Sequence, residues 1–253
     1  MAKPIERQRV LILGGTSGIG LASAKAFAEA GARVRIVGRS PMRGAEAAAS
    51  LGETVDFAAA DCADPKAVEA MARTAAAEME GIDTLMVSVG GTRLPELLHR
   101  QSLDDIREAL TEDLAPYLYA GRAVLPALTE AGGGAVINVA SDAGKVATPG
   151  EAVIGAGMAA IMQFTRGLAI EGKRNGIRAN VITPSLVECT PLTERLMEEG
   201  RFSAKLFAKA RPLAHLGPTY PEDLATLAVF LAGPGAAKIT GQAISVNGGI
   251  SAA

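Results

Sequence analysis

Short apolar runs alternate with segments of helical periodicity along the whole chain. The runs Val10–Leu13, Val34–Val37, Val55–Ala60, Thr84–Val89, Ala135–Ala140, Ile177–Ile182 and Ala243–Val246 read as short strands rich in β-branched and apolar residues. Helical patterns fill the gaps, including Lys66–Glu80, a long one around Leu103–Ala131, another around Ala152–Arg174, and Glu222–Leu231. Seven strands with intervening helices predict an α/β fold, a doubly wound parallel sheet covered by helices on both faces. Residues 1–253 carry no Pro/Ser-rich linker, repeat or low-complexity tract, so a single domain is expected. Ligands of such sheets bind beyond the carboxyl ends of the strands, so chemistry is sought just after each run.

The first such place is the most informative. Val10 to Leu13 runs into Gly14-Gly15-Thr16-Ser17-Gly18-Ile19-Gly20, and Ile19, Ala22, Ala26, Phe27 and Ala30 then recur at helical spacing up to Gly31. Strand, glycine loop, helix and the next strand make one βαβ unit. Glycines spaced G-x-x-x-G-x-G let the backbone approach a large anionic ligand. The exposed amides and positive dipole end of the helix then favour a phosphate there. A plain tight turn is the other use of such glycines.

After the second strand come Gly38 and Arg39, where sites that prefer NAD place a carboxylate for the ribose hydroxyls. A missing acid and a present guanidinium favour NADP(H) over NAD(H), with Arg39 pairing to a 2′-phosphate. After the third strand, Asp61-Cys62 forms a short polar stop. Asp61 is placed either to accept from an adenine amino group or to cap the helix beginning at Pro65, and Asp64 reads as the cap.

Bulk properties narrow the partners. The net charge is −2 with mixed signs, which argues against nucleic-acid and anionic-membrane surfaces. Trp is absent and aromatic residues make up 4%, so platforms for stacking bases are not expected. No apolar run approaches a membrane span, and the run after Lys3, Arg7 and Arg9 is too short for a secretory signal. Cys62 and Cys189 lack metal-ligand spacing and read as reduced thiols of a cytoplasmic protein, with no metal site.

These residues together resemble the short-chain dehydrogenases/reductases over almost the whole length. The matching pieces are Gly14-x-x-x-Gly18-x-Gly20, Asp61, Asp83, Gly90, Asn138-Val-Ala-Ser141-x-x-Gly144, Ile177-Arg-Ala-Asn180-x-x-x-Pro184, Thr190-Pro191, and Thr240-Gly241 through Asn247-Gly248-Gly249. The resemblance implies a single Rossmann-type domain, nicotinamide dinucleotide binding and a homo-tetramer or homo-dimer. The cofactor-binding set it supports is Gly14, Thr16, Ser17, Gly18, Ile19, Gly20, Arg39, Asp61, Cys62, Gly90, Pro184 and Thr190.

The family's chemistry rests on a serine, a tyrosine and a lysine, assisted by an asparagine. Carried over residue by residue, the serine is Ser141 and the asparagine is Asp113. The tyrosine and lysine of Y-x-x-x-K fall on Ile154 and Met158. The strand-four motif Asn-Asn-Ala-Gly has become Val87-Ser88-Val89-Gly90. Positions i and i+4 share a helix face, so Ile154 and Met158 make an apolar wall where acid and cation are expected. Neither donates a proton at any pH. No tyrosine lies between Tyr119 and Tyr220, so a shifted register does not restore the motif.

Substitutes are available in sequence. Asp113 and Tyr117 lie one turn apart and can face one pocket, and Asp142, Lys145 and Glu151 follow Ser141 on a segment read as flexible. His99 and His215 are isolated, and no Ser-His-Asp order is readable. The segment at about 190–212 is the lid over substrate in the resemblance. Its Leu192, Leu196, Met197, Phe202, Leu206 and Phe207 either line an apolar pocket or pack as an amphipathic insertion.

The reading is therefore an NADP(H)-dependent oxidoreductase acting on a small carbonyl, hydroxyl or activated-alkene substrate by a non-standard proton path, with Ser141 and Asp113 as catalytic partners. The alternatives are a non-catalytic dinucleotide-binding homologue or partner subunit, and a non-redox enzyme on the same fold.

Overall fold

In the computed structural model, which describes residues 3–91 and 93–253, seven parallel strands form one sheet in the order β3-β2-β1-β4-β5-β6-β7. The strands are β1 (Arg9–Leu13), β2 (Arg33–Gly38), β3 (Val55–Ala59), β4 (Thr84–Val87), β5 (Gly134–Val139), β6 (Ile177–Thr183) and β7 (Ala243–Ser245). The helices are α1 (Gly18–Glu29), α2 (Pro41–Leu51), α3 (Pro65–Glu78), α4 (Leu103–Ala109), α5 (Ala115–Glu130), α6 (Ala152–Gly172), α7 (Pro191–Leu196), α8 (Phe202–Ala210) and α9 (Pro221–Ala232). The doubly wound α/β architecture expected from the alternating pattern is the one observed.

Side chains alternate across each strand, so the sheet feeds two cores. Val10, Ile12, Val34, Ile36, Met86, Ile137 and Ile182 pack with residues of α1, α2 and α9. Leu11, Leu13, Leu85, Val87, Val136 and Val181 pack on the other face with α3, α5 and α6. Both faces are covered, which is why the strands read as continuous apolar runs. Asp83, quoted in the family resemblance, ties the start of β4 to β1. It is 4% exposed and accepts from Arg9 Nε at 2.7 Å, Arg9 N at 3.0 Å and Lys3 Nζ at 2.5 Å. Burial raises its carboxyl pKa, but those bonds outweigh burial and hold it below the ordinary value.

Two expectations change. The long helix expected around Leu103–Ala131 is interrupted by a π turn at Leu110–Leu114. Pro116 lies just beyond it, and a proline has no N–H for the carbonyl four residues back, so the chain widens there. The stretch Ala152–Asn175 is, by length and composition alone, long and apolar enough to cross a membrane, with a mean hydropathy of 1.4. In the fold it is a core helix, with Met158, Ile161, Met162, Leu168 and Ala169 buried against the sheet.

Candidate active site

The carboxyl edge of the sheet gathers the loop after β1, Gly38-Arg39 after β2, Asp61-Cys62 after β3, Ser88–Gly90 after β4, Ser141 after β5 and Pro184 after β6. A Cβ on Gly14 would stand 2.2 Å from the Ser88 carbonyl oxygen, and one on Gly20 would stand 2.1 Å from that of Gly14. Gly38 in turn makes room for Thr16, whose Cγ2 would lie 2.9 Å from an added Cβ.

Helix α1 begins without a side-chain cap. Ser17 is its N-cap but forms no side-chain capping bond, and the first turn holds no acid. By contrast, Ser40, Asp64, Ser102 and Thr190 each accept from an amide of the helix they precede. Uncapped amides at a 12-residue helix start make an anion site. Beside Gly18, the nearest atoms to an added Cβ belong to Thr190, at 3.7 Å, so a cradle is left between glycine loop and lid. These residues fit a dinucleotide phosphate.

At the far end, Arg39, Asp61 and Cys62 come together. Burial pushes the Cys62 thiol up to about 11, Asp61 adds to the rise and Arg39 opposes it. Arg39 is exposed and enters none of the ion pairs found among the described residues. Asp61 Oδ1 accepts from Ala63 N at 3.0 Å, whereas Asp64 caps α3 through Lys66 N at 2.9 Å. The cap is Asp64, and Asp61 is exposed at the site edge. Both thiols are free.

At the middle of the edge, Ser141 leaves β5 and its Oγ accepts from Ala143 N at 3.2 Å. Asp113 is buried on the π turn, and a Cβ on Gly90 would stand 3.2 Å from its Oδ1. π turns recur at functional sites. The first turns of α6 press on the turn after Ser141, since a Cβ on Gly155 would stand 2.6 Å from Ala143 O. Ile154 is partly buried and Met158 9% exposed, and both belong to the apolar core on that side.

Several sequence-level substitutes are accounted for differently. The Tyr117 hydroxyl is committed to backbone carbonyls. It is 2% exposed, 2.6 Å from Val89 O and 2.7 Å from Val139 O, so it straps the ends of β4 and β5 together. Burial, with Asp113 adding to it, raises its pKa far beyond the usual phenol range. The segment after Ser141 is not loose. Asp142 is 5% exposed and accepts from Ser245 and Ser251, and Lys145 Nζ donates to Ala243 O at 2.9 Å and Ser245 Oγ at 2.8 Å. Burial pulls the Lys145 ammonium below its usual value, with Asp142 opposing. Only the Asn247-Gly248-Gly249 match hinted at this network in sequence.

In the segment at about 190–212 the apolar side chains pack on one another. Leu196 and Phe207 are buried with Leu186, and Leu94, Leu192, Met197 and Leu206 close over them as a small separate core. Phe202 lies against Gly150. Thr190 caps α7, and Arg195 Nη1 donates to Gly91 O at 3.1 Å, joining lid to the β4 loop.

A family model described as enoyl-(acyl carrier protein) reductase matches residues 14–251. The chain is 33% identical to the 3-oxoacyl-[acyl-carrier-protein] reductase FabG of Chlamydia trachomatis over 255 residues, covering 99% of this chain and 100% of that protein. It is 36% identical over 243 residues to D-threitol dehydrogenase of Mycolicibacterium smegmatis, covering 94% and 91%. The structure superimposes with a TM-score of 0.88 on the 3-ketoacyl-(acyl-carrier-protein) reductase of Brucella melitensis complexed with NADH, at 29% identity and covering 98% and 100%.

Proposed function

The chain belongs to the short-chain dehydrogenase/reductase family, and from that premise we propose that it is an NADP(H)-dependent oxidoreductase with an atypical site. The observation that carries the reading is the uncapped start of α1 beside the open glycine cradle, with the unpaired Arg39 at the adenine end. Gly14, Thr16, Ser17, Gly18, Ile19 and Gly20 hold the pyrophosphate. Arg39 holds the 2′-phosphate, Asp61 and Cys62 border the adenine, and Gly90, Pro184 and Thr190 border the nicotinamide half. The bound cofactor supplies a hydride.

The chain's own task is to bind and polarise the substrate. The Ser141 hydroxyl donates to the oxygen of a small carbonyl, or to the carbonyl oxygen that activates an alkene. The Asp113 carboxyl moves the proton that the residues at 154 and 158 do not. Family membership supports a homo-dimer or homo-tetramer. Two free thiols suit a cytoplasmic protein.

Purified protein with NADPH and a panel of carbonyls and activated alkenes tests this. Consumption of NADPH is expected, falling by about 10²-fold in Ser141→Ala and Asp113→Asn. Full activity in both variants overturns their roles. The apolar pair Ile154 and Met158 favours one second reading, a dinucleotide-binding homologue without catalysis. That reading predicts thermal stabilisation by NADPH with no turnover. Turnover without any nicotinamide points to a non-redox enzyme.

A further inference from the structure

Asp142 is a carboxylate at the end of an apolar strand, and its burial demands hydrogen-bond donors. Among the described residues, its three side-chain donors come from the segment 245–251. Ser245 Oγ donates to Oδ1 at 3.0 Å, Ser251 Oγ donates to Oδ2 at 2.9 Å, and Asn247 Nδ2 donates to Oδ2 as well. Asn247 is itself 5% exposed and doubly held. Its Nδ2 reaches Ser251 Oγ at 3.0 Å, and its Oδ1 accepts from Gly249 N at 2.9 Å. Lys145, three residues after Asp142, adds bonds to Ala243 O and Ser245 Oγ.

The backbone of the same turn is fixed from the other side. Asp142 N donates to Pro184 O at 2.9 Å, and Asp142 O accepts from Lys145 N at 2.8 Å and Val146 N at 2.9 Å. Asp142, the residue after Ser141, is thus held through both its side chain and its backbone. Ser141 Oγ accepts from Ala143 N within this turn, which leaves its proton for an acceptor that substrate brings.

We propose that Asp142 is a positioning residue: gripped by Ser245, Asn247 and Ser251, it locks the turn that aims the Ser141 hydroxyl. The inference rests on the reading that Ser141 meets substrate. Aiming a donor matters because small displacements of a positioned group lose much of its catalytic effect.

Two measurements on the full chain test it. In hydrogen exchange read by mass spectrometry, Asn247→Ala and Ser251→Ala are expected to speed exchange across residues 141–146, although Asn247 lies 105 residues along the chain from Asp142. Unchanged exchange there overturns the tie. In turnover with NADPH, Asp142→Ala is expected to lose about tenfold in kcat with an unchanged NADPH Kd, and that loss is expected to vanish in a Ser141→Ala background. A loss of the same size in both backgrounds means that Asp142 serves the fold alone and overturns the proposal. Asp142→Asn keeps the volume and one acceptor oxygen and is expected to recover part of the rate, and it replaces Asp142→Ala if that variant does not fold. If Ser141→Ala alone leaves turnover intact, the functional reading of Ser141 fails, while the exchange result still judges the tie. A chain that turns over nothing on the panel overturns the functional reading and the aiming role with it, while the exchange result still judges the tie.

Discussion

The α-carbon of Gly14 faces the carbonyl of Ser88 so closely that a Cβ there would stand 2.2 Å from the oxygen. Gly14 also has a φ of +79°, a left-handed conformation that L side chains resist. The phosphate loop therefore leans on the end of β4, and its shape depends on both contacts. Gly14→Ala is expected to lose NADPH binding and to melt well below the parent. Gly52 has a φ of +95° and a ψ of −177°, a region that glycine nearly monopolises, with nothing within 4 Å of an added Cβ, so Gly52→Ala carries only the backbone strain, about 1–3 kcal/mol. Thermal melts with and without NADPH separate the two. Equal losses would show that the Ser88 contact is immaterial.

Arg39 is expected to choose between the two nicotinamide dinucleotides. A charge-assisted bond to a phosphate contributes roughly 1.5–3 kcal/mol, so Arg39→Ala should weaken NADPH by about 10- to 100-fold and leave NADH nearly unchanged. Fluorescence titration of the two reduced cofactors reads this directly. Equal weakening of both would place Arg39 away from the 2′-phosphate.

Much of the scaffold was legible because burial on both faces writes a strand as an apolar run. All seven runs, from Val10–Leu13 to Ala243–Val246, became strands within two residues of their expected ends. The interruption at Leu110–Leu114 was not seen, although Pro116 marks it, because apolar periodicity continues through a single widened turn. At the site, glycine spacing located the cradle since backbone approach needs missing side chains. The fates of Tyr117 and Asp142 were hidden because their partners, Val139 and Asn247, are remote in sequence and reachable only once the sheet is ordered. The packing of the 190–212 segment was hidden for a related reason. Leu196 and Phe207 bury with Leu186, which the helical spacing of that segment does not reach.

Restoring an acid and a cation is expected to raise turnover. Ile154 and Met158 share a face of α6 next to the turn that carries Ser141. The double variant Ile154→Tyr, Met158→Lys should gain about 10²- to 10⁴-fold over the parent if a positioned general acid is what the site lacks. Met158 is 9% exposed in the core, so Met158→Lys alone should cost roughly 1–3 kcal/mol of stability. Turnover with NADPH and thermal melts are measured on the same preparations. A folded double variant without any gain would mean that Asp113 and Ser141 already meet the need, or that the pocket takes no carbonyl.

Glu151 should make stability fall as pH rises. It precedes α6, and burial raises its carboxyl pKa, only partly offset by a hydrogen bond with Thr148. A carboxyl whose folded pKa exceeds its unfolded value binds its proton more tightly in the folded state. Below the unfolded pKa both states are protonated and Glu151 carries no penalty. Between the two values the unfolded state ionises first, and stability drops with each step of pH. Above the folded pKa the penalty is complete and constant. Glu151→Gln keeps the shape and removes the charge, so it should raise Tm at pH 8 and leave it nearly unchanged at pH 4. Paired melts of parent and variant across that range check the sign. A Tm difference that stays flat with pH, or that grows toward acid, would show that the Glu151 carboxylate is well solvated in the folded protein.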